Sequence, residues 1–237
     1  MSIDRRRFLT LGGASLSAAL LEACNSQGPD GARRLLRLAE RRNESVERSL
    51  LRHRSIDRAA AGARAAGKAF PTYFISDRMP VWDASQRGEW ALEVTGLVRT
   101  PLKLPLAELT KLRSVTQRVN HYCVEGWTAI AEWTGVRVSE LSRLAGVQPG
   151  AEYVDFESFD SGYHESWDME SAMHSQTLIA YGMDRAYLGP AHGAPARLHS
   201  PIKLGYKSTK YLTRLVFLPR RNGGYWSDQG YEWFAGV

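Results

Sequence analysis

The chain of 237 residues contains only two cysteines. One of them, Cys123, is the first candidate for a reactive or metal-binding residue. It lies in the segment His121–Trp127, which reads HYCVEGW, and the other cysteine, Cys24, lies near the N-terminus. A lone thiolate can act as a nucleophile or as a soft ligand for a transition metal. Judged by residue type alone, a buried and inert cysteine at the end of a strand is the favoured alternative.

A second candidate for chemistry is a long stretch without acids. Residues 185–227 contain eight Lys and Arg and no Asp or Glu, whereas residues 144–184 contain eight Asp and Glu and no Lys or Arg. Several of the cations are separated by Gly and Pro, which predicts a loop rather than one face of a helix. These cations are Arg197, Lys203, Lys207 and Lys210. The stretch could bind an anion tightly, or it could be a solvated basic edge that balances the acidic half.

Three segments, taken together, resemble the sulfite oxidase family of molybdopterin-dependent oxidoreductases. The first is HYCVEGW, followed by WTGV at 133–136; the second is MHSQTLIAYGM at 173–183. The third begins with HGAPAR at 192–197 and continues with GYKSTKY at 205–211. The segments occur in the order found in the family, and the resemblance covers about residues 70–237. Cys-Val-Glu-small-Trp is similar to exported bacterial members, such as periplasmic methionine sulfoxide reductases, rather than to eukaryotic sulfite oxidases.

The resemblance implies roles for individual residues. It implies a molybdenum–molybdopterin cofactor with the Cys123 thiolate as the metal ligand, and it places Tyr231 near the metal, so both are candidate catalytic residues. The residues implied to bind the cofactor are Cys123, Tyr73, Phe74, Ser158, His192, Arg197, Ser208, Thr209 and Lys210. Glu125 and His121 either support the metal ligand or make structural hydrogen bonds.

The resemblance also implies an enzyme that transfers an oxygen atom between molybdenum and a small sulfur compound of the sulfite or sulfoxide type. Neither the substrate nor the direction follows from the sequence. Since the chain shows no heme domain, we expect a separate electron-transfer protein, such as a cytochrome or a membrane heme protein. Two alternatives stay open: a non-catalytic binding module that retains the fold, and a free-thiol redox protein that uses Cys123.

The elements that must position these residues are predicted to be strands and short helices. Alternating apolar and polar residues predict strands at 90–98, 114–122, 153–159 and 211–218, and a short helix over 138–144 that ends at Gly146. Strands and helices do not alternate as βαβ units, and no glycine-rich phosphate loop is present. We therefore expect an α+β domain with mixed β-sheets, and the resemblance specifies the sulfite oxidase-type molybdopterin-binding fold.

The N-terminal part differs from the rest in charge. Residues 1–69 hold 14 Lys and Arg against 7 Asp and Glu, whereas residues 70–237 hold 17 against 18. The folded body is therefore not basic, which argues against nucleic-acid binding.

The N-terminal residues predict a targeting signal. Three arginines at 5–7 before an apolar stretch at 11–21 predict a twin-arginine export signal over residues 1–24. The sequence LEAC, ending at Cys24, resembles a lipoprotein processing site. Residues 25–69 are predicted to be a charged helical spacer, and residues 70–237 the molybdopterin-binding domain. We expect a periplasmic protein, anchored to the membrane if Cys24 is lipidated.

Overall fold

The structure is a computed structural model that describes residues 33–51, 56–58 and 70–237. The predicted export signal, Cys24 and residues 59–69 of the predicted spacer lie outside the described residues. A division between Leu50 and Leu51 separates two compact units. Within the described ranges, no helix is both long enough and apolar enough to cross a membrane.

The first unit contains one described helix, α1, which runs from Arg33 to Leu50. Its Arg48 and Glu44 form an ion pair of 2.8 Å at the i, i+4 spacing that supports a helix. Its larger apolar residues are exposed: Leu35, Leu36, Leu38, Val46 and Leu50. The helix predicted inside the spacer is therefore present.

The second unit contains a mixed five-stranded sheet in the order β2-β1-β10-β5-β6. Strands β1 and β10 are parallel, and the other neighbours are antiparallel. In β1, Leu92 and Val94 are fully buried while their neighbours are only partly covered, as the alternating pattern predicts. The strands are β1 (Ala91–Gly96), β2 (Leu102–Pro105), β5 (Tyr153–Ser158), β6 (His164–Asp168) and β10 (Leu212–Leu218).

A second five-stranded sheet is antiparallel throughout, in the order β3-β4-β7-β8, with β9 also paired to β7. Its strands are β3 (Ser114–Tyr122), β4 (Thr128–Arg137), β7 (Leu178–Met183), β8 (Ala186–Tyr187) and β9 (Arg197–His199). The short helices of the unit are α2 (Ala84–Arg87), α3 (Leu106–Leu109), α4 (Val138–Ala145) and α5 (Met169–Ala172). This arrangement confirms the expected α+β class.

The main core lies where the two sheets and helix α4 meet. Phe156 and Leu215 of the first sheet cluster with Ile179 and Leu198 of the second and with Leu141 of α4. A smaller cluster includes Val119, Trp133 and Leu178, with Phe70 packed against it. This smaller cluster supports the end of β3, where Cys123 follows.

The folded body takes in residues that the sequence assigns to the spacer. The Asp57 carboxylate accepts hydrogen bonds from the Asn120 backbone at 2.9 Å and from the Tyr122 hydroxyl at 3.0 Å. Gln176 exchanges two further hydrogen bonds with the Asp57 backbone. Asp57 accordingly belongs to the second compact unit, which runs from Leu51 to Val237.

Candidate functional site

A cavity of about 270 Å³ opens beside the end of β3. It lies between the turn that follows β3, the segment 70–75 and residues 205–211. Much of its lining is aromatic, and its charged side chains are Glu125, Asp160, Arg197 and Lys210. Large apolar cavities with a few convergent polar groups are the usual form of a cofactor or substrate site.

Cys123 lies at the rim of this cavity, half-buried, in the first position of a tight turn. Its backbone N–H donates to the Trp127 carbonyl at 3.0 Å, and its carbonyl accepts from Gly126 at 3.0 Å. Gly126 has a φ of 84°, which favours glycine. The turn therefore fixes the thiol at the cavity edge.

The Cys123 thiol is not activated as a free nucleophile. Burial raises the pKa of the Cys123 thiol, and the Glu125 carboxylate, whose Oε2 is 3.9 Å from Sγ, raises it further. Reactive free cysteines need the opposite shift, because only the thiolate attacks. Among the described residues, no group of three or more His, Cys, Asp and Glu could hold a metal ion. Cys123 is the one cysteine in those residues, so it is the soft donor that the described site offers.

A buried arginine faces the cavity from strand β9. Arg197 is 4% exposed and donates to the His192 carbonyl at 3.1 Å and to the Ser208 carbonyl at 3.4 Å. Burial lowers the pKa of Arg197 to about 10. No described carboxylate forms an ion pair with it, so its positive charge is available to an anion.

Lys210 adds a second positive charge beside Arg197. Its Nζ donates to the Ala191 carbonyl at 3.0 Å. Burial, followed by the charge of Arg197, lowers the pKa of Lys210 to about 7. An anion placed between the two cations would remove this repulsion.

Three buried hydroxyls next to these cations lack a hydrogen-bond partner in the part of the chain that the structure describes. They are Ser208 Oγ, Thr209 Oγ1 and Tyr211 OH. An unpaired buried hydroxyl costs about 1–3 kcal/mol, so such groups normally have a partner. Arg197, Lys210 and the hydroxyls of Ser208 and Tyr211 all line the cavity and form a donor set for a phosphate, whereas Thr209 lies in the adjoining chain. The residues present therefore fit a phosphate-bearing cofactor.

Two neutral histidines lie near Cys123: His121 lines the cavity, and His199 is buried beside it. Burial, then Arg197 and Lys210, lower the pKa of His121 to about 3, and burial also lowers the pKa of His199 well below its usual value. The His199 ring stacks on Trp133 at 4.1 Å and on His121 at 5.5 Å. Nδ1 of His121 and both ring nitrogens of His199 have no partner among the described residues. A neutral imidazole offers one donor and one acceptor, which suits the edge of a heterocycle.

The structure brings most of the sequence-predicted site residues together. Those that line the cavity are Cys123, Tyr73, Phe74, Ser158, Arg197, Ser208, Lys210 and Tyr231. The other two lie in the adjoining chain: the His192 carbonyl accepts from Arg197, and the Thr209 side chain is buried beside Ser208. Tyr231 is 42% exposed and packs against Trp226 and Tyr206 at the rim.

Sequence reasoning missed several lining residues. They are Phe70, Trp127, Asp160, Tyr163, Tyr206 and Tyr211, and the adjoining His199. Tyr211 directly follows the predicted Ser208–Lys210 loop, and this adjacency could have identified it. Asp160 and His199 each lie two residues after a predicted site residue, Ser158 and Arg197, and this closeness could have identified them as well.

The acid-free stretch has two separate roles. Lys207, fully buried, pairs with Glu165 at 2.5 Å, Lys203 pairs with Asp168 at 3.6 Å, and Arg214 pairs with Glu157 at 3.1 Å. These cations neutralise acids of the preceding stretch. The ion pairs of Lys203 and Lys207 argue against anion binding by these two lysines, whereas Arg197 and Lys210 line the cavity and stay candidates for it.

More than half of the chain matches a known protein family. The family model described as the oxidoreductase molybdopterin-binding domain matches residues 78–226. The match includes Cys123 and the whole cation-rich loop 197–210.

Similar curated proteins are sulfoxide reductases by name. A candidate protein-methionine-sulfoxide reductase subunit, YedZ1, of Azospira oryzae is 41% identical over 167 residues, covering 70% of this chain and 62% of that protein. The catalytic subunits MsrP of Ralstonia nicotianae and Gluconobacter oxydans are 31% and 32% identical, covering 58% and 62% of this chain. The matches cover 46% and 54% of those two proteins, so the chain spans about half of their length.

Among solved structures, the sulfane dehydrogenase SoxCD of Paracoccus pantotrophus is similar, with a TM-score of 0.53 and 25% identity. The similarity covers 56% of this chain and 39% of that chain.

Proposed function

Because the chain belongs to the oxidoreductase molybdopterin-binding domain family, we propose that it is a sulfoxide reductase that removes one oxygen atom from sulfur. The family implies a molybdenum–molybdopterin cofactor. The names of the similar proteins support reduction of a sulfoxide over oxidation of sulfite.

One observation carries the proposal: a single cavity combines a rim thiol with a buried anion site. Cys123 would bind the metal, while Arg197, Lys210 and the Ser208 hydroxyl would hold the phosphate of the pterin, with Thr209 in the adjoining chain. The neutral His121 imidazole, which lines the cavity, would meet the heterocycle. A non-catalytic binding module would need no soft metal ligand beside the anion site.

The cofactor, when bound, supplies a metal centre that accepts oxygen atoms and changes oxidation state by two electrons. In the overall reaction the sulfur–oxygen bond breaks, two electrons and two protons are taken up, and a thioether and water leave. A separate electron-transfer protein would supply the electrons. The exposed rings of Tyr73 and Tyr231 at the rim, with Trp127 beside them, would hold the organosulfur group, since sulfur packs favourably against aromatic rings.

A paired assay of the purified, molybdenum-containing protein tests this function. One arm offers methionine sulfoxide with a reduced dye, and the other offers sulfite with an electron acceptor. We expect turnover in the first arm. Turnover in the sulfite arm alone would overturn the proposed direction, and protein that lacks molybdenum after expression in a cofactor-producing host would overturn the proposed enzyme.

Lys210→Ala should act mainly on cofactor retention. Removing one charge-assisted hydrogen bond to a phosphate costs about 1.5–3 kcal/mol, or roughly 10- to 150-fold in affinity. Molybdenum per chain, measured after purification and again after dialysis, should fall accordingly. Lys103→Ala, at an exposed lysine outside the cavity, is the matched control and should stay loaded. A fully loaded Lys210→Ala protein with impaired turnover would instead place Lys210 at the substrate.

Location is the second part of the proposal. The arginines at 5–7 and the apolar stretch after them support export of the folded protein to the periplasm, and the LEAC sequence supports a lipid anchor at Cys24. Several acyl chains hold a protein on a membrane firmly, whereas one chain binds only marginally. In fractionated cells, Cys24→Ala should therefore move the protein from the membrane pellet to the soluble periplasmic fraction. If the variant stays in the pellet at high salt, lipidation is not what attaches it.

A further inference from the structure

We propose that Glu125 is a specificity-determining residue, whose negative charge at the cavity rim disfavours anionic sulfur compounds and leaves the site to neutral ones. This inference rests on the proposed function, because it names the substrate class of the same site. It is carried by where the carboxylate lies and by which charges in the cavity are already matched.

The Glu125 carboxylate is held in place beside the metal ligand. Its Oε2 accepts from the Tyr73 hydroxyl at 3.0 Å and from the Trp127 indole at 3.0 Å, and it lies 3.9 Å from Cys123 Sγ. The two donor rings stack on each other with centroids 6.3 Å apart. Two donors from stacked rings hold the carboxylate at the cavity rim, beside the thiol that would bind the metal.

No cation in the described part of the chain pairs with this carboxylate. Among the described residues, no Lys, Arg or His forms an ion pair with Glu125, and no donor reaches its Oε1. Carboxylates of ordinary pKa are ionised at neutral pH. The rim therefore presents a full negative charge with one oxygen free to meet whatever enters.

The other charged residues of the cavity are already assigned. Arg197 and Lys210 are the cations that fit the phosphate of the cofactor. Asp160 is 3% exposed, and its carboxylate accepts from the Ile75 backbone at 3.0 Å and from the Ser76 hydroxyl. Once the cofactor matches the two cations, Glu125 is the charged side chain beside Cys123 among the described residues of the cavity lining.

An anion at the rim would therefore meet repulsion, and a neutral sulfoxide would not. Repulsion between two unit charges about 4 Å apart in water weakens binding roughly fivefold. For a dianion the repulsive free energy doubles, so this factor is squared. The surrounding surface is aromatic and partly exposed, at Tyr73, Phe74 and Tyr231. This aromatic, partly exposed surface favours uncharged organic groups.

The first experiment measures inhibition of the loaded enzyme by sulfate, an anion that does not react. In Glu125→Gln, which keeps the hydrogen-bond acceptor and removes the charge, we expect sulfate to inhibit about 10- to 30-fold more strongly at 10 mM ionic strength. The difference should vanish in 1 M sodium chloride, where the Debye length is about 3 Å. Glu89→Gln, at an exposed glutamate outside the cavity, makes the same charge change and should leave the inhibition constant alone.

The second experiment needs no turnover. In the full chain produced without cofactor, the Cys123 thiolate displaces iodide from neutral iodoacetamide or from anionic iodoacetate, and mass spectrometry of the Cys123 peptide gives both rates. Their ratio cancels the thiolate fraction. Glu125→Gln should raise the rate with iodoacetate relative to iodoacetamide about fivefold, and Glu89→Gln should not.

The two readouts separate the inference from the proposed function. An unchanged alkylation ratio in Glu125→Gln overturns the role of Glu125, even if the protein reduces sulfoxides. If the protein does not reduce sulfoxides but shows the expected alkylation ratio, the proposed reaction is wrong and the role of Glu125 in disfavouring anions stands. A ratio that changes equally in Glu89→Gln would assign the effect to net charge and also overturn the role.

Discussion

Cys123→Ser is expected to reduce turnover to below about 1% of that of the unchanged protein while the domain stays folded. Loss of residues that only orient a metal ligand typically costs 10- to 100-fold, and here the ligand itself changes. Oxygen is a harder donor than thiolate, so the electronic properties of the metal change even if the cofactor remains. The turnover number per bound molybdenum is the quantity to measure.

Folding should be little affected by this exchange, because Cys123 is half-buried in a turn that is closed by backbone hydrogen bonds. Thermal unfolding of the variant beside the unchanged protein checks this. Unchanged turnover per molybdenum in Cys123→Ser would contradict the assignment of Cys123 as the metal ligand. Loss of activity with a large drop in the melting temperature would point to a structural role instead.

Lys207→Met should produce the largest loss of stability. Lys207 and Glu165 are both fully buried, and among the described residues each forms its one ion pair with the other, at 2.5 Å. Removing one partner of a buried pair costs about 3–5 kcal/mol, because the other charge is left uncompensated. For a chain of this size, the melting temperature should fall by about 6–20 °C.

An exposed pair provides the matched control. Lys111 and Glu108 form an ion pair of 2.7 Å, but both side chains are more than half exposed. Such pairs contribute about 0–1 kcal/mol, so Lys111→Met should shift the melting temperature by only a few degrees at most. Replacing both buried partners, as Lys207→Met with Glu165→Leu, should recover part of the loss.

The buried pair also links stability to the site. Glu165 accepts from the Trp226 backbone at 3.2 Å and from the Ser227 hydroxyl at 3.4 Å, and this segment leads to Tyr231 at the rim. If Lys207→Met kept its melting temperature but lost molybdenum, Lys207 would belong to the anion site after all. The structure predicts the opposite: a large fall in melting temperature, with loss of molybdenum as the smaller effect.

The periodicity of the sequence was enough to predict several elements. Strand β3 runs from Ser114 to Tyr122, as its pattern predicts. Helix α4 ends before Gly146, which adopts the left-handed conformation that favours glycine at a helix end. The same pattern missed β7, because LIAYGM is buried on both faces and lacks the alternation of a half-buried strand.

Motifs in the sequence were enough to identify the family and the reacting groups: Cys123 within HYCVEGW, and a cation-rich loop in the stretch that contains no acid. Which of those cations lack an acidic partner became evident only from the folded arrangement of the strands. Glu165 and Asp168 lie on β6, some forty residues before the lysines that they neutralise, and no such acid reaches Arg197 or Lys210 among the described residues. Whether a charge binds a ligand depends on what lies within a few ångströms of it, and strand pairing rather than spacing in the chain sets those distances.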